Sequence, residues 1–289
     1  MHRRCLALLL MAALLVPQTA RAWNDTGHML VAEIAYQRLS PSAKARVEAL
    51  VAIQAEPENS TFVTASCWAD DLKRYDVHAY DTWHYIDMPF SPDNTPLPPL
   101  PKDENVVWAM KQCISTLHNP RVPDVEKARM LRFLIHFVGD VHQPLHCVSR
   151  YTQQHPSGDR GGNDFKLQGI PGVTNLHAYW DDGIGLFTHV ARPLAADDTT
   201  LKTLADAIVA DFPPDSLPEW KDSTFTDWVS EGENLARTLC YDLPENAPPP
   251  ADYIARARPA ARKRIALAGY RLADLLNQLF QDNTNHPLR

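Results

Sequence analysis

The chain has 289 residues, 45% of them hydrophobic, with 28 Lys and Arg against 35 Asp and Glu and a net charge of −7. That length suits one large core, and the acidic balance excludes binding of nucleic acid or anionic lipid through Lys and Arg alone. Any polyanion must meet a local positive centre, for which bound metal ions are the obvious source.

Arg3 and Arg4 precede an apolar run from Leu6 to Val16, followed by Ala20-Arg21-Ala22, an A-x-A cleavage pattern. Residues 1–22 therefore read as a cleaved export signal, too short to span a bilayer, with Trp23 as the mature N-terminus. Cleavage removes three arginines, which leaves roughly 25 basic against 35 acidic side chains. The expected product, residues 23–289, is a soluble, secreted or periplasmic domain with no membrane anchor. Cys67, Cys113, Cys147 and Cys240 remain, and an even count in an exported chain predicts two disulfides of open connectivity.

Apolar spacing predicts a helix over 26–39, a second opened by Ser40-Pro41 as N-cap and N1 and running to about 53, and a third over 64–75. The stretch 89–101 (PFSPDNTPLPPLP) is an irregular loop. Helical periodicity returns over 105–117, 125–139, 201–212, 225–240 and 255–280, with a short β-hairpin expected around 164–168. The fold class is all-α, a single multi-helical domain in which the Pro-rich stretches are surface crossings.

The segment 132–146 reads RFLIHFVGDVHQPLH. On its helix His136 and Asp140 share one face one turn apart, and Pro144 forces an exit that turns His146 back toward them. Imidazole, carboxylate and imidazole inside an apolar helix require a neutralising cation. Similar chemistry occurs at Trp23 and His28, at Asp70 in SCWAD, at His84 in WHYID, and at His177 and Asp181 in NLHAYWD, which repeats the His-x-x-x-Asp spacing. Taken singly, such a histidine is more often an ordinary core residue and such a pair an ordinary i,i+4 contact. Their joint occurrence in apolar and aromatic segments favours metal ligation. The other histidines, His142 among them, lack partners at such spacing.

These motifs, with GGN at 161–163 and the terminal RIALAGYRLADLLNQLF, resemble the zinc-dependent single-strand nucleases of the S-one/P-one type, distant relatives of bacterial zinc phospholipases C. The resemblance covers the mature chain and implies three Zn2+. The first would be held by Asp70, His84, His136 and Asp140, and the second by His146, His177 and Asp181. The third would be held by the amino group and carbonyl of Trp23, by His28, and by Asp140 as a bridge. It further implies that Tyr85 and Asp87 bind a nucleobase, that Lys73 meets a phosphate oxygen, and that Asn163 positions phosphate or shapes a turn. Asp70, Lys73 and Asp140 are accordingly the expected catalytic residues.

The expected activity is hydrolysis of single-stranded DNA and RNA, and of 3′-nucleotides, by in-line attack of hydroxide on phosphorus to give 5′-phosphates. Bases are read by stacking, which duplex DNA hides. The enzyme is expected to act as a monomer. The alternatives are a zinc phospholipase C, whose last ligand is typically Glu where this chain has Asp181, and a non-catalytic exported zinc-binding protein.

Overall fold

The computed structural model describes residues 23–102, 104–221 and 224–281, so the expected signal segment lies outside the described residues. Helix α1 (Asp25–Tyr36) begins at Asn24, whose side chain accepts from Gly27 N at 2.9 Å, and α2 (Pro41–Val51) begins at Ser40, which caps Ala43 N as Ser-Pro predicts. The expected third helix is instead three short turns, with 3-10 turns at Thr64–Cys67 and Leu72–Tyr75 flanking α3 (Trp68–Asp71). The physical reason is a diverted acceptor: the Ser66 carbonyl receives His136 Nδ1 at 2.6 Å, and Asp76 then ends the run in the left-handed region at φ 60°.

Helices α4 (Val106–His118) and α5 (Asp124–Asp140) pack as an antiparallel pair, and α5 is buried along nearly its whole length. Its buried Arg132 donates to the carbonyls of Val51 and Ile53 at 2.8 and 2.9 Å, which satisfies the open C-terminus of α2. The chain continues through α6 (Leu176–Asp181), α7 (Thr200–Asp211) and α8 (Phe225–Leu235), the last opened by a Thr224–Asp227 capping box and extended by a π turn at Ala236–Cys240. Helix α9 (Ala251–Leu279) starts one residue after Pro250 and carries Pro259 inside it. It lies chiefly against α1, and among the described residues no helix is long and apolar enough to cross a membrane.

The two-stranded sheet is parallel, β1 (Met88–Phe90) with β2 (Val148–Arg150) in the register Met88 to Val148. It does not form at the expected hairpin, where 164–168 keeps a single antiparallel bridge between Lys166 and Asn175 because Leu167 instead bridges to Ala247. The sheet matters because β1 follows the WHYID stretch and β2 follows the HQPLH turn. Ile86 N donates to His146 O at 2.8 Å, so the two loops are fastened side by side.

The two expected disulfides are not formed: Cys67, Cys113, Cys147 and Cys240 are buried free thiols. Cys113 packs against Met130 at 3.8 Å, and Cys147 lies over the Val141 carbonyl at 3.3 Å and near enough to Cys240 to act on it electrostatically.

A candidate metal centre

Eight of the nine residues expected to bind metal fall into three buried groups: His28 with His136 and Asp140; Asp70 with His84 and His136; and His146 with His177 and Asp181. Within each group the donor atoms lie within 4.8 Å of one another. His136 belongs to two groups, whereas the expectation placed it with Asp70, His84 and Asp140 alone. Trp23 is fully buried beside them, its indole donating to Gly139 O at 3.0 Å, and Asn24 N donates to Asp181 O at 3.0 Å.

Helix α5 does most of the positioning. His136 and Asp140 project from its last turns, and Gly139 lets the His28 ring lie on the helix, since a Cβ there would stand 2.8 Å from His28 Nδ1. The rings of His28 and His136 stack with centroids 3.9 Å apart. The two oxygens of Asp140 face different neighbours, Oδ1 toward His28 Nε2 at 3.4 Å, and Oδ2 toward His84 Nδ1 at 3.0 Å and His136 Nε2 at 3.3 Å. Beyond Pro144 a 3-10 turn holds His146, and Gln143 Nε2 donates to Asp181 Oδ1 at 2.7 Å. On α6, Asn175 caps Ala178 N at 2.8 Å, which sets the turn from His177 to Asp181.

Backbone carbonyls orient three of the rings from behind: Ser66 O on His136 Nδ1 at 2.6 Å, His84 O on His146 Nδ1 at 2.8 Å, and Gly161 O on His177 Nδ1 at 2.7 Å. Each carbonyl requires the proton on Nδ1, so in the neutral ring Nε2 carries a lone pair. His146 Nε2 and His177 Nε2 then confront each other at 3.1 Å, two acceptors with no proton to share. A cation between them resolves the conflict, and carbonyl-backed imidazoles are the usual support of metal-binding histidines. The first group gives the same indication, because His28 Nδ1 and Nε2 and Asp140 Oδ1 are buried without a hydrogen-bond partner. The donor set of imidazoles and carboxylates suits zinc.

Electrostatics agree. Burial opposes charge on His136, yet Asp140 and Asp70 outweigh it and raise that ring to about 9. Burial pushes the Asp181 carboxyl well above its ordinary range, with Gln143 the main opposing influence. Burial lowers His84 and His146, keeping them neutral and able to ligate.

A cavity of about 310 Å³ opens over the centre, lined by Lys73, His78, Asp81, His84, Tyr85, Asp87, Leu145, His146, Arg160, Asn163 and His177. All four expected substrate residues thus share one cleft with three of the histidines. Lys73 Nζ lies 2.7 Å from Asp70 Oδ1, and Tyr85 is 37% exposed within the cleft. Asn163 lines it while its Nδ2 donates to Arg160 O at 2.8 Å, so it also shapes the turn. Sequence reading missed Gln143, His78, Asp81 and Arg160. Only Arg160 had a signal, as the residue directly before Gly161-Gly162-Asn163.

The S1/P1 Nuclease family description matches residues 23–281. Endonuclease 3 of Arabidopsis thaliana is 28% identical over 90% of each chain. Nuclease S1 of Aspergillus oryzae is 23% identical over 92% of this chain and 94% of its own, and Nuclease P1 of Penicillium citrinum 26% identical over 89% and 97%. With these matches spanning helices, ligand groups and cleft together, the chain belongs to the S1/P1 nuclease family and is a phosphodiester hydrolase.

Proposed function

We propose that the protein is an exported, zinc-dependent nuclease that cleaves single-stranded DNA and RNA to 5′-phosphate products and also accepts 3′-nucleotides, acting as a monomer without a membrane anchor. In this reading three zinc ions would be held, the first by Asp70, His84, His136 and Asp140, the second by His146, His177 and Asp181, and the third by His28, Asp140 and the backbone amino group and carbonyl of Trp23. The observation that carries this reading is the pair of facing acceptors, His146 Nε2 and His177 Nε2 at 3.1 Å, at the base of a cleft walled by Tyr85 and Asp87.

Zinc bound in these donor sets supplies positive charge to the phosphodiester and lowers the pKa of water toward ~7. The chain's own groups do the rest. Asp140, with one oxygen toward His28 and the other toward His84 and His136, ties two donor groups together. Lys73, anchored on Asp70, offers its ammonium to a phosphate oxygen as a point charge. Tyr85 offers an exposed aromatic face on which any unpaired base can stack, and Asp87 accepts a hydrogen bond from the base edge. Duplex DNA conceals both recognition features, which gives the preference for single strands.

The test uses protein beginning at Trp23 and loaded with zinc, incubated with single-stranded DNA, RNA and duplex DNA with and without chelator. Cleavage of the single strands that chelator abolishes, in protein holding three zinc ions by atomic emission, is expected. Cleavage indifferent to chelator, or none by the zinc-loaded protein, overturns the proposal.

A further inference from the structure

We propose that Arg160 grips a phosphate neighbouring the one that is cleaved, so that it sets the preference of the cleft for a polynucleotide strand over a single phosphodiester. The inference rests on the reading of the cleft as the nucleic-acid site.

Among the residues that line the cavity, Lys73 and Arg160 carry the permanent positive charges. They occupy different environments. Lys73 is 14% exposed and lies on Asp70, inside the metal-binding groups. Arg160 is 72% exposed and acts electrostatically on Asp87 and Tyr85, the base-binding wall. A strand whose base lies against Tyr85 brings its next phosphate within the field of a cation that the scissile phosphate does not need.

The guanidinium is prepared for that contact. Asp164 takes Nε at 3.0 Å and Nη2 at 2.9 Å, which orients the planar fork and leaves Nη1 without a hydrogen-bond partner among the described residues. Phosphate matches such a fork because its oxygens accept two parallel N–H donors.

The backbone fixes where the side chain begins. Arg160 has φ 53°, followed by Gly161 at 59° and Gly162 at 81°, a run of left-handed residues in which the first is not glycine. A side chain in that region is costly and persists where the surroundings determine it. They do here: a Cβ on Gly161 would stand 2.2 Å from Leu145 O, and the Gly161 carbonyl is the one that orients His177. Arg160 is thus held one residue from the support of a metal ligand. The loop cannot shift without disturbing the centre, so its cation keeps a fixed offset from the reacting phosphate.

The test measures steady-state kinetics of the zinc-loaded protein on a single-stranded octanucleotide and on a dinucleoside monophosphate, which has only the scissile phosphate, over a range of salt concentrations. In Arg160→Gln the octanucleotide KM rises about tenfold, as expected for one lost charge-assisted hydrogen bond, while the dinucleotide KM moves less than about twofold. The slope of log KM against log salt for the octanucleotide falls by ~0.7, the value for one phosphate contact on a single strand. Arg160→Lys restores the slope, because it keeps the charge. Equal effects on both substrates, or an unchanged slope, overturn the assignment. If the unsubstituted protein shows no chelator-sensitive cleavage, the nuclease reading itself fails. If it cleaves normally and Arg160→Gln matches it on both substrates, only the role of Arg160 fails.

Discussion

Two buried charged clusters lie on either side of the end of α5, and they are completed in opposite ways. Around Asp140 the neighbours are His28, His84 and His136, and three polar atoms among them have no hydrogen-bond partner. Around Glu231 the neighbours are Arg264, Arg271 and His142. Glu231 Oε2 accepts from Arg264 and Arg271 at 2.7 Å each, and Oε1 accepts from Arg271 at 2.6 Å. His142 donates Nδ1 to Val138 O at 2.7 Å and accepts from Arg271 on Nε2 at 2.9 Å. Here only Arg271 Nε lacks a partner. Both clusters set buried imidazoles beside a carboxylate, Asp140 at 0% and Glu231 at 29% exposure, so burial of the ring and residue type do not distinguish a ligand from a structural histidine. The census of donors and acceptors does: one cluster is closed by arginines from α9, whereas the other presents buried donors and acceptors whose chemistry suits a bound cation.

Asp140→Asn should break the open cluster. With its carboxylate facing His28 on one side and His84 and His136 on the other, zinc content measured by atomic emission should fall from the proposed three ions toward one, and cleavage of single-stranded DNA by at least ~100-fold. Full zinc occupancy in this variant would show that the centre is not organised around Asp140. Glu231→Gln probes the closed cluster by leaving two buried guanidiniums without their counter-charge. The free energy of unfolding should drop by about 3 kcal/mol in denaturant titration while zinc content stays the same. A parallel loss of zinc would mean that the two clusters are one unit.

The smallest effect is expected at Asp87, which belongs to neither cluster. Burial and the nearby Asp159 raise its carboxyl to about 6, with Arg160 opposing. The folded state therefore holds this proton more tightly than the unfolded chain does. Stability falls as pH rises from the ordinary value of about 4 to about 6, and the full cost persists above that window. Asp87→Asn should flatten this fall and stabilise the protein at pH 7 by up to ~2 kcal/mol, read from denaturation curves at several pH values. An unchanged pH profile would place the source elsewhere.

The geometry of α5 was legible because its information is local. His136 and Asp140 share a face by spacing alone, Pro144 marks the exit, and Ser40-Pro41 names its own helix start. Features made by distant partners were not. The parallel pairing of 88–90 with 148–150 joins three-residue strands that carry no strand pattern of their own. His142 had no partner at helical spacing because its partner, Arg271, lies 129 residues away. Arg160 had its place before Gly161-Gly162-Asn163 as a signal, but that place does not say that the residue before two glycines will itself be left-handed and face the cleft. The cysteines show the limit of counting: compartment and even number bear on whether thiols can pair, whereas pairing itself depends on side-chain geometry that spacing does not carry.

Asn24 donates from Nδ2 to Asp182 Oδ1 at 2.9 Å and to Phe187 O at 2.7 Å, and its backbone N reaches Asp181 O. The first described turn is thereby tied to a segment some 160 residues downstream, with α9 packed across α1. Contacts of such sequence separation form late, because the closure entropy of the long loop must be met before they contribute. The donor groups therefore depend on a join between segments far apart in sequence. The candidate metal centre is in this sense a product of the whole fold: His28 on α1 and His177 and Asp181 on α6 take their places only where residues 24–28 meet residues 181–187.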